Sequence, residues 1–304
     1  MDIGKKIKEI RTEKLMTQSQ LAGDEITRNM LSRIENGAAL PSLGTVMYLA
    51  KRLGVPAGAL LSDDDCEYNF KKSSLIKKIK DSFVSAEYEL CLDMCKESAS
   101  DADDEICYIA ALCSVKLGER ALVSGELYDA QALLEEAIRL ADSTVYNTSS
   151  VVAATYVMLT FLRSLSPMLD IDTEELEKNH FRLRMQSLES PLCRYINALW
   201  ETESGRFDCV KIYLSEERVS SDKYSRLYAD HIEAKLMMDR GEYMDALKIL
   251  KSILNYEDMA LKLMIYLVSK DIEICCREIG DYRGAYEFSE TKLGLIESML
   301  RGGM

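Results

Sequence analysis

A six-residue signature returns five times in this chain and limits its fold more than any other feature. It reads AEYELC at 86–91, GELYDA at 125–130, GRFDCV at 205–210, GEYMDA at 241–246 and GDYRGA at 280–285. The copies begin 39, 80, 36 and 39 residues apart, so the second gap spans two periods with one degenerate copy between. Each copy has a turn residue, then an acidic or polar residue, a large apolar residue, and a small residue at the sixth place. A period of this length is one pair of helices whose apolar side only a stacked neighbour can cover, so a helical solenoid is the expected architecture.

Composition agrees with an all-α chain. Only 4 Pro and 15 Gly punctuate 304 residues, and short alternating runs of Val, Ile and Thr are sparse. No run of about 18 uncharged apolar residues marks a membrane span. The start, MDIGKKIKEIRTEK, is basic and amphipathic and lacks a secretory h-region, so a cytoplasmic protein without a membrane partner is expected. The nine cysteines fall mostly at apolar positions of helical patterns and read as small buried hydrophobes. His180 and His231 lack CxxC or HExxH company, which argues against zinc and any other metal. P-loop, GxGxxG and GxSxG motifs are missing as well, so neither an enzyme nor a cofactor is expected.

Charge divides unevenly. The formal net charge is -13, yet residues 1–61 hold nine Lys or Arg against six Asp or Glu, a net of +3, and the remainder has a net of -16. Such asymmetry suggests a basic reader attached to a differently employed body. The run SDDD at 62–65 marks the boundary, giving expected domains 1–65 and 66–304. KKSSLIKKIK, 71–80, carries five lysines and reads as the solvated start of the second domain.

The first domain resolves into five helices. Ile3, Ile7 and Ile10 form one apolar stripe. Thr17 and Gln20 form a capping box for a second helix containing Leu21 and Ala22. Thr27 caps a third, Arg28 to Glu35, ending at Asn36-Gly37, with Ile26 stapled to Leu31. Met30, Leu31 and Ile34 are expected inside, while Arg28, Asn29, Ser32 and Arg33 face outward. Ser42 caps a fourth helix with Leu43, Val46, Met47, Leu49, Ala50 and Leu53 on its buried face, Gly54 ends it, and Pro56 opens a fifth through Leu61. Arginine grips guanine O6 and N7, and asparagine grips adenine N6 and N7, so the outward stripe has the chemistry of base reading.

The pattern TQSQLA…ITRNMLSRIENG…PSLGTVMYLAKRLGV resembles the Xre/lambda-repressor-like helix-turn-helix domain, a five-helix DNA-binding module. The resemblance implies a phosphate contact from Gln18, base contacts from Arg28, Asn29, Ser32 and Arg33, and phosphate held by backbone amides near Asn36. It also implies a structural pairing of Glu35 with Arg11. One departure stands out: the chain is one residue shorter than the commonest family form, and the usual turn glycine is displaced to Gly23. The angle between the second and third helices is therefore the point that only a structure decides.

In the body, LGERALVSGELYDAQALLEEAIRLA at 117–141 resembles the tetratricopeptide (TPR) pattern, through Leu117-Gly118, Gly125, Ala130, Leu134 and Ala137. A TPR-like solenoid presents a concave face suited to a peptide, a partner helix or another subunit. On that register Arg194, Asn197, His231, Lys235 and Arg277 fall at or near the concavity and are the expected effector contacts. The copy around 145–190, with Pro167 and an acidic segment at 170–177, is poorly matched. A helix-turn-helix head followed by such an array resembles the peptide-responsive, quorum-sensing RNPP regulators. That resemblance implies a homodimeric, sequence-specific transcriptional regulator on a palindromic operator in double-stranded DNA, with a short peptide as effector. The alternative is a TPR-type protein-interaction scaffold with an autoregulatory DNA-binding head.

Overall fold

The computed structural model describes residues 3–61, 75–98, 103–169, 171, 190–218, 224–255 and 261–301. The SDDD run, Lys71 and Lys72, Cys66, His180 and nearly all of the acidic segment 170–177 lie outside the described residues. Among the described residues all regular structure is helical, and the chain divides into two compact units, Met1–Asp81 and Ser82–Met304.

The first unit contains α1 (Ile3–Glu13), α2 (Gln18–Ala22), α3 (Arg28–Glu35), α4 (Leu43–Leu53) and α5 (Ala57–Leu61). Thr17, Thr27 and Ser42, each in extended backbone, accept the amide of the third helical residue of α2, α3 and α4. Such caps stabilise by ~1 kcal/mol apiece. Gln20 returns a bond to the Thr17 amide at 2.8 Å, completing the capping box. Ile7, Leu21, Leu31, Ile34, Leu49 and Leu60 form the buried centre, and partly buried Ile26 packs against it. α1 crosses α3 in direct contact: a Cβ on Gly4 would stand 1.8 Å from the Ile34 carbonyl oxygen.

Two apolar faces are narrower than the sequence suggests. Val46, Leu49, Ala50 and Leu53 are buried on α4, whereas Leu43 and Met47 are 66% and 59% exposed. The four buried positions span about 100° of the helix circumference, and Leu43 and Met47 lie past that edge. Met30 on α3, expected inside, is 42% exposed because the buried arc there runs through Leu31, Ile34 and Glu35.

The second unit is built from helical pairs. After α6 (75–84), which runs across the division between the units, come α7 (Tyr88–Glu97), α8 (Asp104–Ser124), α9 (Leu127–Asp142) and α10 (Ser149–Leu165). They are followed by α11 (Pro191–Glu203), α12 (Phe207–Glu217), α13 (Ser225–Asp239), α14 (Tyr243–Leu254), α15 (Lys262–Glu278) and α16 (Tyr282–Leu300). Every signature is the turn of a pair. Its first residue is left-handed in all five copies: Ala86 at φ +59°, then Gly125, Gly205, Gly241 and Gly280 between +71° and +81°. The next helix begins two residues later, at Tyr88, Leu127, Phe207, Tyr243 and Tyr282. The sixth residues, Cys91, Ala130, Val210, Ala246 and Ala285, are all buried.

Successive helices pack on one another, and the first helices of the pairs also meet in a row: α8 on α10, α10 on α11, α11 on α13, α13 on α15. The row then closes, with α15 on α8 and α16 on α9. A Cβ on Gly125, between α8 and α9, would meet the Met299 side chain at 2.7 Å and Lys262 at 3.0 Å. The solenoid is wound tightly enough that its last pair touches the α8–α9 pair.

A left-handed backbone strains any residue with a Cβ by ~1 kcal/mol. Ala86→Gly is therefore expected to raise the urea midpoint, and Gly241→Ala, whose Cβ would meet open space, to lower it by a similar amount. Gly125→Ala adds the collision with α16 and should be the most damaging of the three.

Candidate functional site

Glu35 organises the first unit. Although it ends the helix with the outward Arg and Asn side chains, it is only 4% exposed. Arg11 of α1 donates Nε–H to Oε1 at 2.6 Å and Nη2–H to Oε2 at 3.0 Å, and its Nη1 reaches the Met16 carbonyl at 2.7 Å. Gln18, the first residue of α2, donates Nε2–H to Glu35 Oε2 at 2.7 Å. Burial pushes the Glu35 carboxyl up, but the Arg11 guanidinium and the Gln18 amide together hold it below its ordinary value. One carboxylate thus locks α1, α2 and α3, and the pairing with Arg11 is the one expected from sequence.

The shortened turn between α2 and α3 is fixed from α4. Gly23 ends α2 at φ +57°. The Tyr48 hydroxyl donates to the Ala22 carbonyl at 2.9 Å, and Arg52 donates to the Gln20 carbonyl while standing 5.7 Å over the Tyr48 ring. A Cβ on Gly23 would fall 2.3 Å from the Tyr48 oxygen. Only glycine fits there.

With that inward side committed, α3 turns Arg28, Asn29 and Arg33 to solvent, with Ser32 half-buried at the margin. Among the described residues these three exposed side chains have no hydrogen-bond or ion-pair partner. Asn36 is exposed just past the helix. The amides of residues 36–39 all donate back into α3, to the carbonyls of Ser32, Arg33 and Ile34. The backbone amides near Asn36, expected to hold phosphate, are therefore taken within the chain, and the Asn36 side chain is what stands exposed. Gln18 is likewise tied to Glu35, which the family pattern does not reveal. Met30 joins the outward face beside Asn29 and Arg33, unforeseen for the reason given above.

A second candidate lies on the inner row of the other unit. Residues of α10, α11, α13 and α15 enclose a cavity of about 230 Å³, lined by His231, Lys235, Trp200, Tyr266, Lys270 and Asp271 among others. His231 and Asp271 are 1% and 2% exposed. The Tyr195 hydroxyl lies 2.5 Å from His231 Nδ1, His231 Nε2 lies 2.9 Å from Asp271 Oδ2, and Lys235 Nζ lies 3.3 and 3.5 Å from the same carboxylate. Burial pushes Asp271 up, yet His231 and Lys235 outweigh it and hold the carboxyl below its ordinary value. An ionised carboxylate only accepts, so Nε2 carries the ring proton. Burial pushes the Tyr195 phenol far up, so it stays protonated where it meets Nδ1.

Of the five expected effector contacts, the structure brings His231 and Lys235 together. Arg194 instead bonds Glu217 at 2.6 Å and braces α11 to α12. Asn197 is buried on α11. Arg277 is exposed and 3.3 Å from Glu273. Sequence reasoning missed Asp271, although an acid in line with Leu267, Val268, Ile272 and Cys275 on an apolar helix face is itself a signal. A larger cleft of about 350 Å³ carries Lys116, Glu119 and Arg120, but these are spent on local pairs among Lys116, Glu119, Ser190, Arg120 and Glu89.

The thiols of Cys95, Cys193 and Cys275 are pushed up to about 12 by burial, which keeps them protonated at neutral pH. Among the described residues no group of His, Cys, Asp and Glu could hold a metal ion, and no helix is long and apolar enough to cross a membrane.

Five short helices, the third with an exposed Arg/Asn stripe, form a helix-turn-helix unit. The helix-turn-helix family pattern matches residues 7–60. The immunity repressor protein of Bacillus phage phi105 is 36% identical over 85 residues, 26% of this chain and 59% of that protein. The cryptic phage CTXphi transcriptional repressor RstR of Vibrio cholerae is 36% identical over 76 residues, 25% of this chain and 68% of that repressor. The chain belongs to the helix-turn-helix family, and it spans about three-fifths of the length of the first of these relatives. Among solved structures it is similar to the competence regulator ComR of Streptococcus vestibularis in complex with its cognate signaling peptide XIP. That likeness has 17% identity, 98% of this chain, 93% of that chain and a TM-score of 0.36.

Arg11→Ala leaves Glu35 buried against Gln18 alone and is expected to cost about 3 kcal/mol in the first unit. Because the folded Glu35 carboxyl is held low, its stabilisation is complete above the ordinary carboxylate range and is lost as pH falls through the lowered value. Melting the full chain across acid pH should show Glu35→Gln flattening that dependence.

Proposed function

We propose that the chain is a sequence-specific transcriptional regulator acting on double-stranded DNA in the cytoplasm. Residues 1–65 read a palindromic operator, and the TPR-like array of 66–304 dimerises and takes a short peptide effector. We assign it no catalytic step and no cofactor. The observation that carries the reading is α3: its inner side is fixed by Glu35, Leu31 and Ile34, and its outer side presents Arg28, Asn29 and Arg33 without partners among the described residues. These are the side chains with donor and acceptor patterns for guanine and adenine edges in the major groove. Ser32 adds a hydroxyl at the margin, and Asn36 an amide for the phosphate backbone. The helix-turn-helix family membership supports the same assignment. Support for the effector comes from the inner cavity of the array, where Phe161, Trp200 and Tyr266 stand beside polar and charged groups that include His231, Lys235 and Lys270.

Two copies on one duplex would place their reading helices about 34 Å apart, one turn of DNA. Arg33→Ala is expected to lose ~1–3 kcal/mol of discrimination between a selected operator and a random duplex. Asn36→Ala should weaken both duplexes alike. Fluorescence anisotropy on the two duplexes checks this. An unchanged ratio of affinities for Arg33→Ala would remove the base-reading assignment.

A further inference from the structure

We infer that Met30 is a further specificity-determining side chain of α3, and that it reads the C5-methyl group of a thymine in the major groove. This deepens the DNA-reading function proposed above and rests on it.

The position of Met30 excludes a core role. Its side chain is 42% exposed, whereas Leu31 beside it has no exposed surface, and the buried arc of α3 passes through Leu31, Ile34 and Glu35. At about 100° per residue, Met30 lies about 60° around the helix from Arg33 and about 100° from Asn29, so it borders the polar stripe. Its backbone is held in place, because Thr27 Oγ1 accepts the Met30 amide at 3.1 Å. Long side chains on a helix lean toward its N-terminus. Met30 therefore covers the first turn of α3, the part of a reading helix that meets base edges.

The chemistry narrows what it meets there. Arginine and asparagine suit the polar edges of guanine and adenine, but a thioether donates no hydrogen bond and accepts only weakly. Among the groups that base pairs present in the major groove, the thymine C5-methyl is the apolar one. A flexible, polarisable side chain can close over so small a convex group.

Spacing then places the thymine. Residues three apart on one helix face have Cβ atoms about 5–6 Å apart, and stacked base pairs lie about 3.4 Å apart. The thymine under Met30 is thus one or two base pairs from the guanine under Arg33.

Uracil keeps every polar group of thymine and lacks only the methyl, so it isolates this contact. The full-length protein is bound, with fluorescence anisotropy as the readout, to a duplex selected from random DNA. It is also bound to copies in which each thymine of one half-site is replaced singly by uracil. Wild type is expected to lose roughly fourfold in affinity at one thymine, the scale of burying one methyl group. That thymine should stand within two base pairs of the guanine whose replacement no longer matters to Arg33→Ala. Met30→Ala should bind the thymine and uracil duplexes alike, and Met30→Leu, apolar and of similar size, should keep the preference. Because Met30 stands outside the buried centre, both variants should melt with the wild type. The assignment is overturned if no uracil weakens wild type, if the sensitive thymine lies farther from that guanine, or if Met30→Ala keeps the full loss. In any of these cases the proposed function survives where Arg33→Ala still narrows the gap between selected and random duplexes. It fails, and the Met30 assignment with it, if no duplex is bound more tightly than random DNA.

Discussion

Two helices joined by a tight turn approach closely only where the second carries little bulk, and the body depends on that approach at each signature. The left-handed opener reverses the chain, and the buried sixth residue sits where the pair closes. Ala130 and Ala246 serve this role with no exposed surface at all. On α8, a Cβ at Gly118 would come within 2.9 Å of Leu134, so the pair is near its limit of closeness. Pairs formed at a constant spacing place the first helices in a row, and residues one period apart then stand side by side. The buried polar chain follows from this translation: Tyr195 to His231 is 36 residues and His231 to Asp271 is 40, within one residue of the signature steps of 36 and 39. The repeat that closes the helix pairs also assembles the pocket's floor.

The first unit solves a different problem with one carboxylate. A helix with the role proposed for α3 must keep its outward polar groups uncommitted while its inward side is held firmly. Putting Glu35 inside gives α3 a charged anchor that α1 grips through Arg11 and α2 through Gln18. Such an anchor is specific in direction as well as in energy, because the guanidinium fork meets both carboxylate oxygens. Tyr48 and Arg52 then set the short turn from the far side, so the angle between α2 and α3 is fixed by α4 more than by the turn's own residues.

Features governed by neighbours in sequence were legible before the structure. The capping box of Thr17 and Gln20, the caps at Thr27 and Ser42, and the five signature turns are local, and each has the expected form. Arg11 with Glu35 was legible only through the family pattern. What was hidden depends on how far an apolar face extends around a helix. Met30, Leu43 and Met47 sit just beyond arcs whose width is decided by the packing partner, and periodicity alone counts them in. The closure of α15 on α8 is hidden for a similar reason, since it sums small rotations between pairs that no single copy encodes. Asp271 escaped notice because an isolated acid in an apolar stripe looks like a break in the pattern until His231 and Lys235 are placed against it.

Net charge would have misled about the reading surface. A chain at -13 is repelled on average by a polyanion, but charges act locally in salt: the Debye length at physiological ionic strength is about 8 Å. A phosphate touching the first unit meets that unit's +3, and acids of the body more than a Debye length away are largely screened. Phosphate neutralisation gives affinity without sequence information. With so modest a positive charge, that non-specific share is small. On the function proposed above, tight binding would then come from base edges, and the burden would fall on Arg28, Asn29 and Arg33, whose inward neighbours are held firmly.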